Sequence, residues 1–350
     1  MFPDSDGETH FGQTNDNLQK NRKDNIEMKT RNIIKTICTL AAITLVLPLL
    51  LAVLTSCASE KKIIGIVQFG SHESLNNCYD GIMEGLREAG INVEDYKIEY
   101  MNSNFDPNVS QSQCSRLVNE RASVIIAIAT PSAIAAANAA ADSDVPVVYC
   151  AVTDSSVMTN YKNTTGSSDI PNFEKQLELI TGVMGKTELN IGVLYSTDES
   201  SSPFQLEKLK EAASVYPGMK ISDRAVADIN TIDAQVNKLI GEKVDCFLNL
   251  LDNTIVGKLS TNILPATDEA GIPVFGSEIE QVKKGCAASA SIDYITVGKS
   301  AGIAAAKILS GESASSIPVA VISDPAVFYN GKVIDRLGLK KPAADASDVG

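Results

Sequence analysis

The feature that most limits the fold of this chain is a repeated alternation of short β-branched runs with longer helical patterns, which starts near Lys61. This alternation is typical of parallel α/β units. The runs that predict strands are 63–69, 96–102, 124–128, 145–152, 191–195, 220–226, 245–251 and 273–275. The stretches that predict helices are 75–89, 109–119, 132–141, 173–184, 204–215, 232–240 and 255–270. Nearly continuous apolar strands such as 124–128 predict sheets that are covered on both faces.

The units fall into two sets, separated by a segment rich in turn-forming residues at 163–171. A further helix at 294–309 and an apolar run at 319–322 follow the second set, which predicts that the chain returns to the first domain. Two lobes joined by several crossings form a hinge. The predicted bounds are 57–165 with 290–322 for the N-terminal lobe, 166–289 with 323–342 for the C-terminal lobe, and 343–350 for a tail.

The segment before these units has the properties of a targeting signal. Residues 1–27 are polar without a hydrophobic period, which predicts a disordered extension. In 28–56 basic residues precede the apolar run 37–54, an order typical of a secretory signal peptide. The run ends in Leu54-Thr55-Ser56-Cys57, which looks like a bacterial lipobox, so lipidation is predicted at Cys57 with the mature protein on the extracytoplasmic face of the cell membrane. The alternative is a plain transmembrane helix, because about 20 apolar residues can cross a bilayer.

Charge and motif content exclude several classes of function. The chain has 30 basic and 43 acidic residues and a formal net charge of −13, which argues against a nucleic-acid partner. The seven cysteines show no CxxC pair or metal-ligand spacing, and no disulfide is predicted. The sequence contains no GxSxG elbow, P-loop or GxGxxG after a strand, and His72 is the only histidine after the signal segment. We therefore expect neither an enzyme nor a metal or other cofactor.

Several segments resemble the substrate-binding proteins of the tryptophan/tyrosine-type ABC transporter family. They run in order from about Lys62 to about Gly311 and comprise Gly65-Ile66-Val67-Gln68-Phe69, His72, Ala127-Ile128-Ala129-Thr130-Pro131, Ala151-Val152-Thr153-Asp154, 174–180, 191–195, Asp252-Asn253-Thr254 and Ser291-Ile292-Asp293-Tyr294. The chain departs from the family pattern at Ser71 and at Asp154-Ser155. The resemblance implies a type I periplasmic binding protein, with two Rossmann-like lobes, three crossovers and the ligand in the cleft. It also implies a monomer that delivers a small molecule, an amino acid with aromatic side chains favoured, to an ABC permease.

Ligands of open α/β sheets bind beyond the carboxyl ends of the strands, which selects candidate residues in the first lobe. Thr130-Pro131-Ser132 follows a buried strand and begins a helix, so its hydroxyls and free amides suit a carboxylate, or the hydroxyls only cap the helix. Asp154 either meets an α-amino group or caps the next turn. The first-lobe candidates are Gln68, Phe69 as a stacking face, His72, Thr130, Pro131, Ser132, Thr153 and Asp154.

The second lobe supplies the remaining candidates. Asp252 and Glu278 compete for the ligand ammonium, because a buried charge must be paired. The set selected by position after strands is Tyr195, Asp252, Asn253, Thr254, Ser277 and Glu278, and Asp293 resembles the family residue at the hinge crossing. These residues predict an extracytoplasmic solute-binding lipoprotein. The alternatives are a ligand-sensing subunit of a membrane receptor and, less favoured by the sequence, a small-molecule enzyme.

Overall fold

The computed structural model describes residues 22–23, 27–31, 35 and 61–350. Residues 61–350 form one compact unit, and the described residues before Lys61 are helical. The predicted signal peptide and Cys57 lie outside the described residues, apart from the few helical positions between 27 and 35, as does most of the predicted extension 1–27. Within the described ranges, no helix has the length and apolar character needed to cross a membrane.

Strands and helices alternate through most of the compact unit. The strands are β1 Lys62–Gln68, β2 Tyr96–Asn102, β3 Val124–Ile128, β4 Val147–Cys150, β5 Thr164–Ser168, β6 Asn190–Ser196, β7 Lys220–Val226, β8 Cys246–Leu248, β9 Val274–Phe275, β10 Ala288–Ser291, β11 Ala320–Val321, β12 Ala326–Tyr329 and β13 Ser347–Asp348. The α-helices are α1 Glu73–Glu88, α2 Pro107–Asn119, α3 Thr130–Ala140, α4 Phe173–Met184, α5 Ser201–Ala213, α6 Ile232–Gly241, α7 Asn253–Val256, α8 Leu264–Ala270, α9 Ile279–Lys284, α10 Tyr294–Leu309 and α11 Gly331–Leu337. The predicted α/β class is confirmed.

The first lobe is built on a six-stranded sheet of parallel strands in the order β11-β5-β4-β3-β1-β2. Alternate residues of its central strands enter two different apolar cores. Ile126 of β3 packs with residues of α1 and α10, whereas its neighbour Ile125 packs with residues of α2 and α3. The sheet is therefore covered on both faces, as the apolar strands predicted.

The second lobe contains a parallel sheet in the order β7-β6-β8-β9 and a small mixed sheet in the order β10-β12-β13. In the mixed sheet β10 and β12 are antiparallel, and β12 and β13 are parallel. Helices α4, α5 and α11 share one apolar core with these sheets, and α6 and α8 share another. Residues 343–350, which were expected to form a tail, thus contribute a strand, because Ser347 and Asp348 pair with Phe328 and Tyr329.

The chain passes between the lobes after β5, after β10 and after β11. The first passage comes after residue 168 rather than 165, because Ser167 and Ser168 pair with β11 of the first sheet. The second comes after Ser291 rather than 289, because the whole of β10 pairs with β12. The bounds of the lobes are therefore set by the sheet that each strand joins.

Two predicted elements differ from the structure. The segment 163–171 was interpreted as turn-rich but contains β5, whose small residues allow close packing: a Cβ added to Gly166 would lie 2.0 Å from the Tyr149 carbonyl oxygen. The single helix predicted for 255–270 is instead α7, a π-helical turn Leu259–Ile263 and α8. Pro265 lies in the first turn of α8, where its missing amide costs no helical hydrogen bond.

Helices α1 and α10 pack unusually closely within the first lobe. Gly81 and Gly85 of α1 face the backbone of α10, and Gly298 and Gly302 of α10 face the backbone of α1. A Cβ added at any of these glycines would lie 2.1–2.3 Å from a carbonyl oxygen of the partner helix. Lys299 adds ion pairs to Glu84 at 3.2 Å and Glu88 at 2.5 Å. The pair forms a closely packed unit whose two N-termini both reach the cleft.

Candidate ligand-binding site

A small cavity, called here the inner cavity, lies where the two lobes face each other, and its volume is about 30 Å³. Ala129 and Thr130 follow β3, and Ala151 and Thr153 follow β4, so the first sheet contributes the carboxyl ends of its strands. The cavity is lined by these residues and by His72, Ser74, Leu75, Asp169, Ser201, Leu251, Asp252, Asn253, Val256, Glu278 and Tyr294. This is the place at which ligands of parallel sheets bind.

Glu278 contributes an unsatisfied carboxyl group to this cavity. It immediately precedes helix α9, and only 1% of its surface is exposed. Its Oε2 is buried and has no hydrogen-bond partner in the described structure. Burial, with smaller effects from charged neighbours, raises the pKa of this carboxyl group to about 8. A ligand cation is the partner that would favour its ionised form.

Asp169 lies at the first passage between the lobes and is buried. The Thr153 hydroxyl donates to its Oδ1 at 3.0 Å, and the Tyr294 hydroxyl donates to its Oδ2 at 2.8 Å. Burial raises the pKa of Asp169, and the two hydroxyl donors oppose that rise. The bonds join the end of β4, the passage after β5 and the start of α10. Asp169 therefore holds together the hinge side of the cavity and places an acidic group there.

Asp252 is saturated by donors of its own lobe. Its Oδ2 accepts hydrogen bonds from the Ser196 amide at 2.6 Å and the Ser202 hydroxyl at 2.7 Å, and its Oδ1 caps α7 through the Ile255 amide at 3.0 Å. Burial raises the pKa of Asp252, whereas these donors lower it. Of the two acidic residues predicted as candidates for contact with an ammonium group, Glu278 is the one with an oxygen still free to accept.

A hydrogen bond between the lobes closes one side of the cavity. His72 Nε2 lies 2.9 Å from Asn253 Oδ1. Asn253 Nδ2 donates to Glu199 Oε2 at 2.9 Å, which leaves Oδ1 as the atom that faces His72 and assigns the ring proton to Nε2. Burial lowers the pKa of His72 to about 4, so the ring is neutral at physiological pH. Its Nδ1 is then a buried acceptor, and it has no partner in the described structure.

A second, larger opening adjoins the inner cavity and is called here the outer groove; its volume is about 640 Å³. Asn253 lines both spaces. The first lobe contributes apolar side chains, Phe69, Phe105 and Pro107, and the second lobe contributes Glu199 and Thr254 among others. Burial, together with the nearby Asp252, raises the pKa of Glu199 to about 7.

The predicted first-lobe residues have different surroundings. His72, Thr130 and Thr153 line the inner cavity, and Phe69 lines the outer groove. Gln68 instead donates to the Gly70 carbonyl and to Asn76, and Ser132 lies 3.2 Å from the Ser110 hydroxyl inside the lobe. Asp154 caps the turn after it through the Ser156 amide at 3.0 Å. Pro131 lines neither space.

The second-lobe candidates divide in the same way. Asp252, Asn253 and Glu278 line the inner cavity, and Thr254 lines the outer groove. Ser277 donates to the Asn249 carbonyl within its own lobe, at 2.8 Å. Tyr195 packs against the apolar core of that lobe. Asp293 caps α10 through the Ile295 and Thr296 amides and lines neither space.

Sequence reasoning missed several lining residues, of which Asp169, Ser74 and Glu199 are the most polar. Asp169 follows β5, and the only signal for that strand was a run of Thr, Gly and Ser. Ser74 lies in the first turn of α1, and its hydroxyl is buried without a partner in the described structure. No group of three metal-ligating side chains occurs among the described residues, and the five cysteines of residues 61–350 are buried thiols.

This architecture matches a known family. The family model described as ABC transporter substrate binding protein matches residues 63–344. A tyrosine-binding protein of Clostridioides difficile is 31% identical over 296 residues, which cover 82% of this chain and 84% of that protein. An uncharacterized protein of Rickettsia prowazekii is 27% identical over 295 residues, covering 79% of this chain and 85% of that protein.

Solved structures of similar proteins provide a comparison of lobe arrangement. An ABC domain from Streptococcus pneumoniae in complex with L-Trp has a TM-score of 0.76 at 30% identity, covering 82% of this chain and 100% of that one. The ligand-free, open structure of a substrate binding protein with adhesive properties from Clostridium difficile has a TM-score of 0.63 at 32% identity, covering 82% and 99%. This chain therefore superposes better on the L-Trp complex than on the ligand-free, open structure. With the predicted fold and family both confirmed, this chain belongs to the family of ABC transporter substrate-binding proteins.

Proposed function

We propose that the chain captures an amino acid, with an aromatic side chain favoured, in the interlobe cleft and delivers it to an ABC permease. One observation carries the proposal. Asp169, Asp252 and Glu278 line the inner cavity, no Lys or Arg does so within the described structure, and Glu278 Oε2 has no partner there. Such a cavity suits an ammonium group, because a buried carboxylate needs a paired cation. We assign the ligand ammonium to Glu278.

The ligand carboxylate would lie at the first-lobe side of the cavity. Helices α1 and α3 both begin there, and neither has a side-chain cap on its first amides. Thr130 and Ser74 add hydroxyl groups at these two helix starts, and that of Ser74 is free to donate. Backbone amides at a helix N-terminus bind anions without a basic side chain. The cavity thus offers separate positions for the two charges of a zwitterion.

The relatives support an aromatic ligand. One is a tyrosine-binding protein and another was solved with L-Trp, each about 30% identical to this chain. Delivery to a permease is supported by the family to which the chain belongs.

The experiment that tests the ligand class is a calorimetric titration with L-tryptophan and with two analogues that each lack one charge. Tryptamine lacks the carboxylate and indole-3-propionate lacks the ammonium, so both should bind far more weakly than tryptophan. Ligand that binds only the folded state should also raise the melting temperature. Binding of a sugar or nucleoside without binding of any amino acid would overturn the proposal.

We also propose that lipidation of Cys57 anchors the protein to the membrane, on the basis of the segment Leu54-Thr55-Ser56-Cys57. Proteins of this family act outside the cytoplasm, and two acyl chains on Cys57 would hold the protein stably at the membrane. Cys57→Ser should abolish acylation and leave the unprocessed precursor, which metabolic labelling with a fatty acid and gel mobility would reveal. Cys38→Ser, in the same apolar segment, is the matched control and should be processed normally. Continued cleavage and acylation of the Cys57 variant would contradict the assignment.

A further inference from the structure

The ring of Phe105 is held at the mouth of the cleft by an unfavourable backbone. Asn104 and Phe105 have φ angles of 51° and 63°, and both lie in the left-handed region. Asparagine tolerates that conformation, but a bulky residue rarely adopts it. The Phe105 amide donates to the Phe69 carbonyl at 2.8 Å, which fixes the strained turn against the end of β1. Backbone strain of this kind is concentrated at functional sites.

The surroundings of this ring are arranged to receive it. Phe69 meets it edge-on, with 5.8 Å between ring centroids and an angle of 88°. His72, which lines the inner cavity, lies parallel to it at 6.4 Å and 6°. A Cβ added to Gly70 would lie 2.1 Å from the ring, so only glycine leaves the space that Phe105 occupies. The ring nevertheless stays 37% exposed and lines the outer groove.

The inner cavity and the outer groove differ in size, so they suit different parts of one ligand. The inner cavity, at about 30 Å³, is small and lined by acidic and hydroxyl side chains, which suits a charged head group and not an aromatic side chain. The outer groove, at about 640 Å³, is within the usual range for small-molecule sites. The spaces share Asn253, and the rings of His72 and Phe105 lead from one to the other.

We infer that Phe105, supported by Phe69, determines specificity by contacting the ligand's side chain in the outer groove, while the charged head group occupies the inner cavity. The inference rests on the proposed function and adds the residue that selects flat aromatic side chains. Aromatic rings gain contact energy beyond their buried area when they meet edge-to-face or offset. An aliphatic side chain in the same groove gains no such additional contact energy.

The test uses the full chain, which contains no tryptophan, so the fluorescence of bound L-tryptophan arises from the ligand alone. Affinities for L-tryptophan, L-phenylalanine and L-leucine are measured for wild type and Phe105→Leu. We expect Phe105→Leu to weaken binding of both aromatic amino acids about tenfold and to leave leucine unchanged. Gly70→Ala, which displaces the ring without removing it, should give the same change in preference. Tyr100→Leu, an exposed aromatic residue that lines neither space, is the matched control and should change nothing.

The outcomes separate this inference from the proposed function. If wild type binds aromatic amino acids and Phe105→Leu binds them equally well, the role of Phe105 is wrong and amino-acid capture stands. A uniform loss across all three ligands would also contradict it, because Phe105 would then act on folding or closure. If wild type binds none of the three amino acids, the proposed function itself fails and the inference fails with it.

Discussion

At the scale of single residues, Thr130 and Ser132 begin the same helix but face different surroundings. Thr130 lines the inner cavity, whereas the Ser132 hydroxyl lies against that of Ser110, which in turn donates to Ser103 at 2.7 Å. The structure therefore separates a side chain that lines the cavity from one in an internal hydrogen bond, two positions that the motif alone could not distinguish.

We expect Thr130→Ala to weaken amino-acid binding by about 1.5–3 kcal/mol, the usual value for a hydrogen bond to a charged group. Ser132→Ala should leave affinity unchanged and lower the free energy of unfolding by about 1 kcal/mol through its buried partner. Calorimetric titration of both variants measures the affinities, and urea unfolding measures the free energies of unfolding. Equal affinities for wild type and Thr130→Ala would remove this residue from the carboxylate position.

Glu278 makes a prediction about pH. Its pKa in the folded protein is raised to about 8, so near neutral pH it is protonated before an ammonium group binds and ionised afterwards. Binding should therefore release a proton, and affinity should rise with pH up to about 8, by at most tenfold for each unit. The stability of the ligand-free protein depends on pH in the opposite direction. Because the folded protein holds this proton more tightly than the unfolded chain, the free energy of unfolding falls as pH rises from about 4.5 to about 8.

Glu278→Gln should abolish the proton release and flatten the pH profile of binding, and it should weaken binding by about 1.5–3 kcal/mol. The pH dependence of unfolding should become shallower but persist, because burial also raises the pKa of Glu199 to about 7. Titrations in buffers of different ionisation enthalpy measure the proton directly. Glu280→Gln is the matched control, because Glu280 pairs with Lys283 at 2.8 Å and does not line the cavity. Proton release that persists in Glu278→Gln would show that another group takes the ammonium.

Residues that follow strands were predictable, since the carboxyl ends of parallel strands meet at one edge of a sheet. That rule selected Thr130, Asp252 and Glu278. It selected Tyr195 and Ser277 equally, yet their side chains turn into their own lobe, because the direction of a side chain beyond a strand depends on the loop that follows. The sequence pattern therefore predicted which residues follow strands but not which contacts their side chains make.

At the scale of elements, the close approach of α1 and α10 makes a sharp prediction. Gly298→Ala would place a Cβ 2.1 Å from the Cys78 carbonyl oxygen, so the helices must separate. We expect a loss of about 1–3 kcal/mol in the free energy of unfolding, as for other overpacked sites. Gly182 lies inside α4 with no atom within 4 Å of an added Cβ, so Gly182→Ala should gain about 0.5–1 kcal/mol.

Denaturant unfolding of the two glycine variants shows whether the packing between α1 and α10 causes the loss of stability, because both variants add the same methyl group to a helix. A loss in both would mean that the helix positions themselves, and not the packing between α1 and α10, control the effect. Ligand affinity of Gly298→Ala should also fall if the shift reaches His72 and Tyr294, which lie at the N-termini of these helices.

Element prediction was accurate for several strands and helices with a strong hydrophobic pattern and missed strands β10 and β12. The bounds of β2, β3, β7, α4 and α10 were predicted to the residue. Strand β10 consists of Ala288-Ser289-Ala290-Ser291, which carries neither β-branched nor large apolar residues, and it forms because β12 pairs with it. Tertiary pairing of this kind has no local sequence signal.

At the scale of the whole molecule, the bond between His72 and Asn253 joins the two lobes across the cleft, where the lobes of such a fold move about a hinge. Asn253→Ala should weaken ligand binding about tenfold, as expected for the loss of one hydrogen bond of roughly 1 kcal/mol with its buried partner left unpaired. Small-angle scattering at saturating ligand should show a larger radius of gyration than wild type.

Asn262→Ala is the matched control for this variant, because Asn262 is a second-lobe residue that donates only within its lobe, to Asp233 at 2.8 Å. It should close and bind as wild type does. A closed Asn253→Ala variant with full affinity would mean that other contacts between the lobes are sufficient. The two-lobe arrangement itself was predictable from a helix and strand that return after two complete sets, whereas this bond, between residues 181 positions apart, was not.

The pairing of α1 with α10 also governs the order in which the protein can fold. The partners lie far apart along the chain, since α1 ends at Glu88 and α10 begins at Tyr294. Contacts of such long range slow folding, because the intervening chain loses entropy before they form. An N-terminal fragment that ends before α10 leaves the glycine face of α1 and the apolar face of the first sheet uncovered. The first lobe therefore cannot mature ahead of the second during synthesis, and both reach their final form only when nearly the whole chain has emerged.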